Sequence, residues 1–356
     1  MFSMLVCGVI RYTRLCFFFA FSRAVFPKIT GCGIFGRICG VGRENRFTKN
    51  MSILSLILAL VLEQFRPISS RNSVYLAFVR LANRLERNLN AGEYRNGVLV
   101  WFITVLPLVL IGAGMHWFLL AKGSWIMALV WNVLGLYLTM GFRQFSHAFT
   151  SISKALRVDD LEGARAHLAD WTNQPTSELT SDEIAKLTIE HGVIDSYRYV
   201  FGTIFWFAAL AWLAGPTGAI LYRAACLLQQ KWRGNEPFGN FANTVLAAMD
   251  YVPVRLAAAG FAVMGDFEDA VQCWREQAKD WSDYDYGILL ASAAGALGVR
   301  LGDVVHQDHT VRFRPELGVG DMANADYLVS AVGLVWRSVL LWLAVILLLS
   351  IAQWLA

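Results

Sequence analysis

The stretch "VLVWFITVLPLVLIGAGMHWFLL", residues 98–120, runs without one Asp, Glu, Lys or Arg. About 20 apolar residues make a helix long enough to cross the hydrocarbon of a bilayer. It is read as a membrane-spanning helix, and it sets the class of the whole chain. Composition agrees. The 356 residues are 56% hydrophobic and only 16% charged, where soluble domains carry about 25% charged residues. The fold expected is all-α, a polytopic helical membrane protein with four to five spans or half-spans and amphipathic cytoplasmic helices.

Working outward, "SWIMALVWNVLGLYLTMGF" (124–142) reads as a second span. Only Ala121, Lys122 and Gly123 separate the two, so they form a tight hairpin. Arg66, Arg71, Arg80, Arg84, Arg87 and Arg95 precede it and Arg143 follows it. Basic residues collect on the cytoplasmic side, which puts the hairpin tip on the other side. Among those arginines Val79, Leu81, Ala82 and Leu85 form one apolar face. That pattern suits a helix lying on an anionic membrane surface, and equally an ordinary solvated amphipathic helix. "MSILSLILALVL" (51–62) is too short to span unless it is tilted, re-entrant or half of a longer helix. "YVFGTIFWFAALAWLAGPTGAILYRAACLL" (199–228) returns to the membrane, interrupted at Gly215-Pro216. Irregular backbone at that depth needs cover from protein or a cavity, so a hairpin or broken helix is expected. "LVSAVGLVWRSVLLWLAVILLLSIAQWLA" (328–356) is the last span, with Arg337 its only charge.

Residues 143–197 and 266–327 read as largely extramembrane. "ISKALRVDDLEGARAHLADW" (152–171) is an amphipathic helix or helix pair. Thr180 and Glu183 form a capping box ahead of a second helix. Asp266 caps "DFEDAVQCWREQAKDW" (266–281), and "GILLASAAGALGVRLGD" (287–303) has the small residues that let helices approach closely. Residues 306–321 read as a loop.

Residues 1–50 differ from the rest. They hold eight Lys and Arg against one acid, Glu44, and four of the six cysteines (Cys7, Cys16, Cys32, Cys39). What remains, residues 51–356, is slightly acidic, which removes the case for nucleic-acid binding. "GCGIFG" (31–36) matches a dinucleotide fingerprint but lacks the strand, helix and acid that a dinucleotide site needs. The apolar run at 15–26 is short, has basic flanks and reads at best as a poor signal sequence. Organised sequence begins abruptly at Met51, so 1–50 is read as a dispensable or misassigned extension, with Met51 as the expected true start. Cys226 and Cys273 have neither a disulfide framework nor metal spacing.

"MDYVPVRLAAAGFAVMG" (249–265) raises the question of function. An acid, a proline and a base stand at the head of a segment otherwise suited to lipid. In one reading Asp250 is an N-cap, Pro253 sits in the first turn and Arg255 reaches up to headgroups. In the other, Arg255 faces a polar pocket and grips an anion with its planar fork. Arg223, Arg300 and Arg337 are also lone arginines in apolar segments, where ionisable residues are functional candidates. Arg255 and Arg300 are expected to share one cavity, with Asp250 and Asp303 as their acids. Weaker candidates are the His306/His309 pair, His116, Arg143 with His147, and Glu190 with His191. There is no metal site, no nucleophile signature and no phosphate-binding loop.

From residue 205 onward the chain resembles the CobD/CbiB membrane proteins of cobalamin biosynthesis, together with the related AmpE proteins. Four stretches carry the likeness: "FWFAALAWLAGPTGAILYRAACLL" (205–228), "FANTVLAAMDYVPVRLAAAGFAVMG" (241–265), "AAGALGVRLG" (293–302) and "LVWRSVLLWLA" (334–344). Weaker matches extend it over roughly 51–353. The resemblance implies an enzyme similar to adenosylcobinamide-phosphate synthase, which joins a cobyric acid to an amino-alcohol phosphate through an amide. A corrinoid would then be a substrate. Several polar motifs of the synthases are replaced here, by "EQFRPISSRNSV" (63–74), "TNQPT" (172–176) and "WSDYDYGIL" (281–289). In "EHGVIDSYRYVFG" (190–202) only Glu190 is kept. Because those motifs are eroded, the alternative is a non-catalytic regulator or sensor similar to AmpE. Either way the partners expected are the lipid bilayer of a bacterial inner membrane and an anionic small molecule, with homo-oligomerisation open.

Overall fold

The computed structural model describes residues 44–66, 73–90, 92–307 and 310–355. The glycine fingerprint, the apolar run at 15–26, the four cysteines of the extension, Arg71 and His309 lie outside the described residues, as does the side chain of Arg143. Helix α1 (Glu44–Phe65) runs across Met51, where organised sequence was expected to begin. It is followed by α2 (Ser73–Leu89), α3 (Tyr94–Ala121) and α4 (Trp125–Thr139). Lys122 to Ser124 make the tight turn between α3 and α4, with Gly123 at φ 68°.

Four stretches are long and apolar enough to cross a membrane: Tyr94–Ala121, Ser181–Ala214, Asn240–Met264 and Ala325–Ala352. The chain is a multi-pass helical membrane protein. In α3, Leu99, Phe102, Leu106, Leu110 and Ile111 are all exposed, as a lipid-facing surface requires. The second expected span is shorter than the sequence suggests. α4 has 15 residues, about 22 Å at a rise of 1.5 Å, against a hydrocarbon core of about 30 Å. It is packed instead by α1 on one side and by Pro216, which sits against Gly135, on the other.

The expected helix pair is α5 (Phe142–Arg157) and α6 (Leu161–Thr172). Asp159 (φ 56°) breaks the run and Asp160 caps α6 through the Gly163 N–H. The Thr180/Glu183 capping box opens α7 (Ser181–Ser196). α7 does not end where extramembrane sequence was expected to end. It passes through a π-helical turn, Tyr197–Phe201, into α8 (Gly202–Ala214).

The interruption at Gly215-Pro216 is a true break, and α9 (Thr217–Lys231) begins after it. Gly215 has φ 59° and ψ −126°, a region open in practice to glycine alone. A β-carbon there would lie 2.4 Å from His116 Nδ1 and 2.7 Å from Asn132 Oδ1, both in buried side chains. Gly215→Ala is therefore predicted to cost about 3 kcal/mol through strain and overpacking. Gly114, with nothing near its β position, serves as the control, and detergent melting curves compare the two. Equal melting temperatures would refute the packing described.

Helix α10 (Asn240–Met264) starts well before Asp250. Asp250 is not an N-cap and Pro253 is not in a first turn; both lie mid-helix. The preceding turns are held by Phe241, Ala242, Val245 and Leu246, which pack in the core shared with α3 and α9. Asp266 caps α11 (Phe267–Glu276) through the amides of Glu268 and Asp269. Helix α12 (Tyr284–Leu297) is almost wholly buried. Its small residues do let neighbours approach: a β-carbon on Gly295 would come 2.5 Å from the Asp269 carbonyl oxygen, and Ser292 donates to the Ala258 carbonyl at 2.7 Å.

The segment read as a loop at 306–321 carries short strands. β1 (Val299–Arg300) pairs in parallel with β4 (Asp321–Met322), and β2 (Val305–Gln307) forms a hairpin with β3 (Thr310–Arg312). Val305, Thr310 and Val311 supply the β-branched residues that suit a ladder. Helix α13 (Ala325–Leu355) closes the fold against α10, α7 and α5.

Candidate functional site

Two polar clusters are built into this apolar frame. The first is centred on Asp250, 3% exposed in the middle of α10. Its Oδ1 accepts the hydroxyls of Tyr197 (2.6 Å) and Tyr222 (2.9 Å). Tyr197 comes from the π turn and Tyr222 from α9. The π turn inserts a residue into the helical register, and such bulges recur at functional sites. Beside Tyr197, the Arg198 guanidinium binds the Tyr286 hydroxyl of α12 through Nε (2.9 Å) and Nη2 (2.5 Å). Burial pushes the Tyr286 phenol above its usual range while Arg198 pulls it back. Tyr286 therefore remains a neutral hydroxyl at physiological pH.

Asp285, next to Tyr286, receives Arg255 Nη1 at 3.1 Å. The same nitrogen donates to the Tyr251 carbonyl, and the guanidinium lies 3.9 Å from the Tyr251 ring centroid and 5.9 Å from that of Tyr284. Its side chain is 25% exposed against 8% for Asp285. A carboxylate, three phenols, two guanidiniums and a second carboxylate thus meet where the π turn, α9, α10 and α12 converge. Cys226 is buried and free on α9. Cys273 is free and buried too. Burial pushes its thiol up to about 11, so it is protonated and inert near neutrality.

The second cluster joins one face of α7 to the segment after α12. Glu190 accepts the Gly302 N–H (2.8 Å) and both terminal nitrogens of Arg314 (2.5 and 3.2 Å). Lys186 lies 3.7 Å from Asp303. Glu183 accepts the His306 amide (3.1 Å) and contacts His306 Nδ1 at 2.7 Å. Residues 183, 186 and 190 follow helical spacing, so all three contacts fall on one side of α7.

The sequence-derived candidates are therefore divided. Arg255 and Asp250 belong to the first cluster, but the acid that pairs with Arg255 is Asp285. Glu190 and Asp303 belong to the second, and the acid facing Arg300 is Glu316 at 3.4 Å, not Asp303. Arg255 and Arg300 share no partner. Arg223 stacks on Tyr199, 3.9 Å from the ring centroid, and Arg337 donates to the Gly333 carbonyl of its own helix. Tyr197, Arg198, Tyr222, Asp285, Tyr286 and Arg314 were not singled out as site residues. For Tyr197, Arg198, Asp285 and Tyr286 the signal in the sequence is the interleaving of tyrosine with charge at the edge of apolar runs, in "YRY" (197–199) and "DYDYG" (283–287); Tyr222 and Arg314 carry no comparable signal. Among the described residues no group of three or more His, Cys, Asp or Glu is placed to hold a metal ion.

Fold and site together define a class: a polytopic helical membrane protein with a hydrogen-bonded polar cluster at the junction of broken and bulged helices. The family model described as CobD/Cbib protein matches residues 56–335, and the chain belongs to the CobD/CbiB family. The cobalamin biosynthesis protein CobD of Stutzerimonas stutzeri (strain A1501) is 35% identical over 83% of this chain and 96% of its own length. The protein of the same name from Chromobacterium violaceum is 31% identical over 82% and 95%. That of Mycobacterium tuberculosis (strain ATCC 25618 / H37Rv) is 27% identical over 68% and 79%. No solved structure gives a significant match.

Proposed function

We propose that this chain is a cobalamin-biosynthesis protein of the bacterial inner membrane. In this reading it forms an amide between a cobyric acid and an amino-alcohol phosphate at the Asp250–Arg255 cluster. The observation that supports this best is the arrangement of Arg255. Its Nη1 is committed to Asp285 and Tyr251, and two tyrosine rings hold the plane of the guanidinium. The rest of a preorganised, partly exposed fork is left for an anion such as the phosphate of the amino alcohol. Amide formation also needs a neutral amine and a setting poor in water. With the carboxyl group of the cobyric acid first activated by ATP as an acyl phosphate, the amine attacks its carbonyl carbon and phosphate leaves. Asp250, a carboxylate fixed by two phenols within a buried network, can take the proton that the amine gives up. In the same reading residues 143–197 and 266–327 lie largely outside the bilayer on the cytoplasmic side, and residues 1–50 are dispensable.

The test is growth of a synthase-deficient bacterium under cobalamin-dependent conditions. Expression of the full chain should restore growth. Arg255→Lys keeps the charge but loses the bidentate fork, and should cut growth sharply while membrane yield stays normal. If the wild type reaches the membrane and still fails to restore growth, the enzymatic reading falls and a non-catalytic role similar to AmpE replaces it.

A further inference from the structure

A groove of about 440 Å³ runs between α2, α3, α4 and α9, apart from both polar clusters. This is within the range of about 300–1,000 Å³ typical of small-molecule sites. Its walls are apolar, with Phe78 and Leu81 from α2, Ile111 from α3, Leu138 from α4 and Leu227 from α9. Ile111 and Leu81 are strongly exposed, so the groove opens sideways from the helical frame. One guanidinium lines it, that of Arg223, held against the Tyr199 ring. The Asp195 carboxyl acts on Arg223 electrostatically, but among the described residues no carboxylate comes within salt-bridge distance of it, so the guanidinium keeps capacity for a further anion. A charge in an apolar setting is expensive without a partner. The outer side of α2 adds Arg80, Arg84 and Arg87, all exposed.

We propose that this groove binds one anionic phospholipid, with an acyl chain along the apolar walls and the phosphate on Arg223. Three observations select that occupant. The groove adjoins α3, the most apolar of the candidate spans, so its mouth opens toward acyl chains. Its lining is mostly apolar, and the Trp131 indole N–H and the Thr139 hydroxyl are already donated to the Gly112 and Gly135 carbonyls, which leaves little to match a small polar metabolite. The charge of Arg223 complements a phosphodiester, and basic pockets between membrane helices are suited to anionic headgroups. The Tyr199 ring fixes the guanidinium plane, which favours two parallel bonds to phosphate oxygens. Tyr199 follows Arg198 in the π turn, so a bound lipid would brace the element that carries Tyr197 and Arg198.

Native mass spectrometry of the full chain, released from nanodiscs of equal phosphatidylglycerol and phosphatidylcholine, tests this. Wild type should retain one phosphatidylglycerol in preference to phosphatidylcholine. Arg223→Met should lower that preference about tenfold, the scale of one lost charge-assisted hydrogen bond. Ile111→Trp, at an exposed site, fills the mouth without touching the charge and should reduce retention of both lipids. Circular dichroism confirms that each variant is folded. Equal retention of the two lipids by wild type, or unchanged preference in folded Arg223→Met, overturns the proposal. So does retention undiminished by Ile111→Trp. Because these readouts do not involve corrinoids, they stand or fall independently of the enzymatic reading.

Discussion

Asp250→Ala is expected to destabilise the protein by about 3–5 kcal/mol, the cost of removing one partner from a buried charged network. Two buried phenols, Tyr197 and Tyr222, lose their shared acceptor at once, and Arg198 loses a nearby compensating charge. Unsatisfied buried donors each cost about 1–3 kcal/mol. Asp250→Asn keeps an oxygen for both hydroxyls and should retain most of the stability. It removes the charge, and with it the ability to take a proton. The pair of variants therefore separates folding from chemistry: alanine should lower the melting temperature and the yield, whereas asparagine should fold and fail to support growth. An alanine variant as stable as wild type would contradict the network.

The second large effect is expected at Glu190. Glu190→Ala strips a two-pronged partner from Arg314 and the acceptor from the Gly302 amide. With Glu190 5% and Arg314 23% exposed, the loss should be about 3 kcal/mol. Its signature is local. The Gly302 amide should exchange with deuterium far faster than in wild type, and residues 303–315 should become easier to cleave by protease. Glu190→Gln retains one acceptor oxygen and should fall between. Unchanged exchange at Gly302 in Glu190→Ala would show that the clamp does not hold this segment.

Much of this architecture is legible in the sequence, and the reasons are local. The charge-free run at 98–120, the Gly215-Pro216 break and the Thr180/Glu183 box each depend on a few neighbouring residues, and the structure contains all three. The misreadings are tertiary. Asp250 looks like a cap because it opens an apolar run. The turns before it are helical through packing of Phe241, Val245 and Leu246, which no local signal announces. The π turn at Tyr197–Phe201 leaves no mark in hydropathy, yet it brings Tyr197 and Arg198 into the site. Acids close in sequence look like the partners of the arginines. Arg255 instead reaches Asp285, 30 positions away, and Glu190 reaches Arg314, 124 positions away. Proximity along the chain identifies charges that need partners but does not choose among them.

The central claim is that the Asp250–Arg255 cluster carries amide formation, and detection of the product tests it most directly. Membranes containing the full chain are supplied with a cobyric acid, an amino-alcohol phosphate and ATP to activate the carboxyl group. Corrinoids are then read by mass spectrometry. The account predicts an amide product with wild type, a yield near wild type with Arg337→Met, which lies outside the cluster, and loss of product with folded Arg255→Met and Asp250→Asn. Product formed undiminished by the Arg255 and Asp250 variants, or none formed by properly inserted wild type, would contradict it.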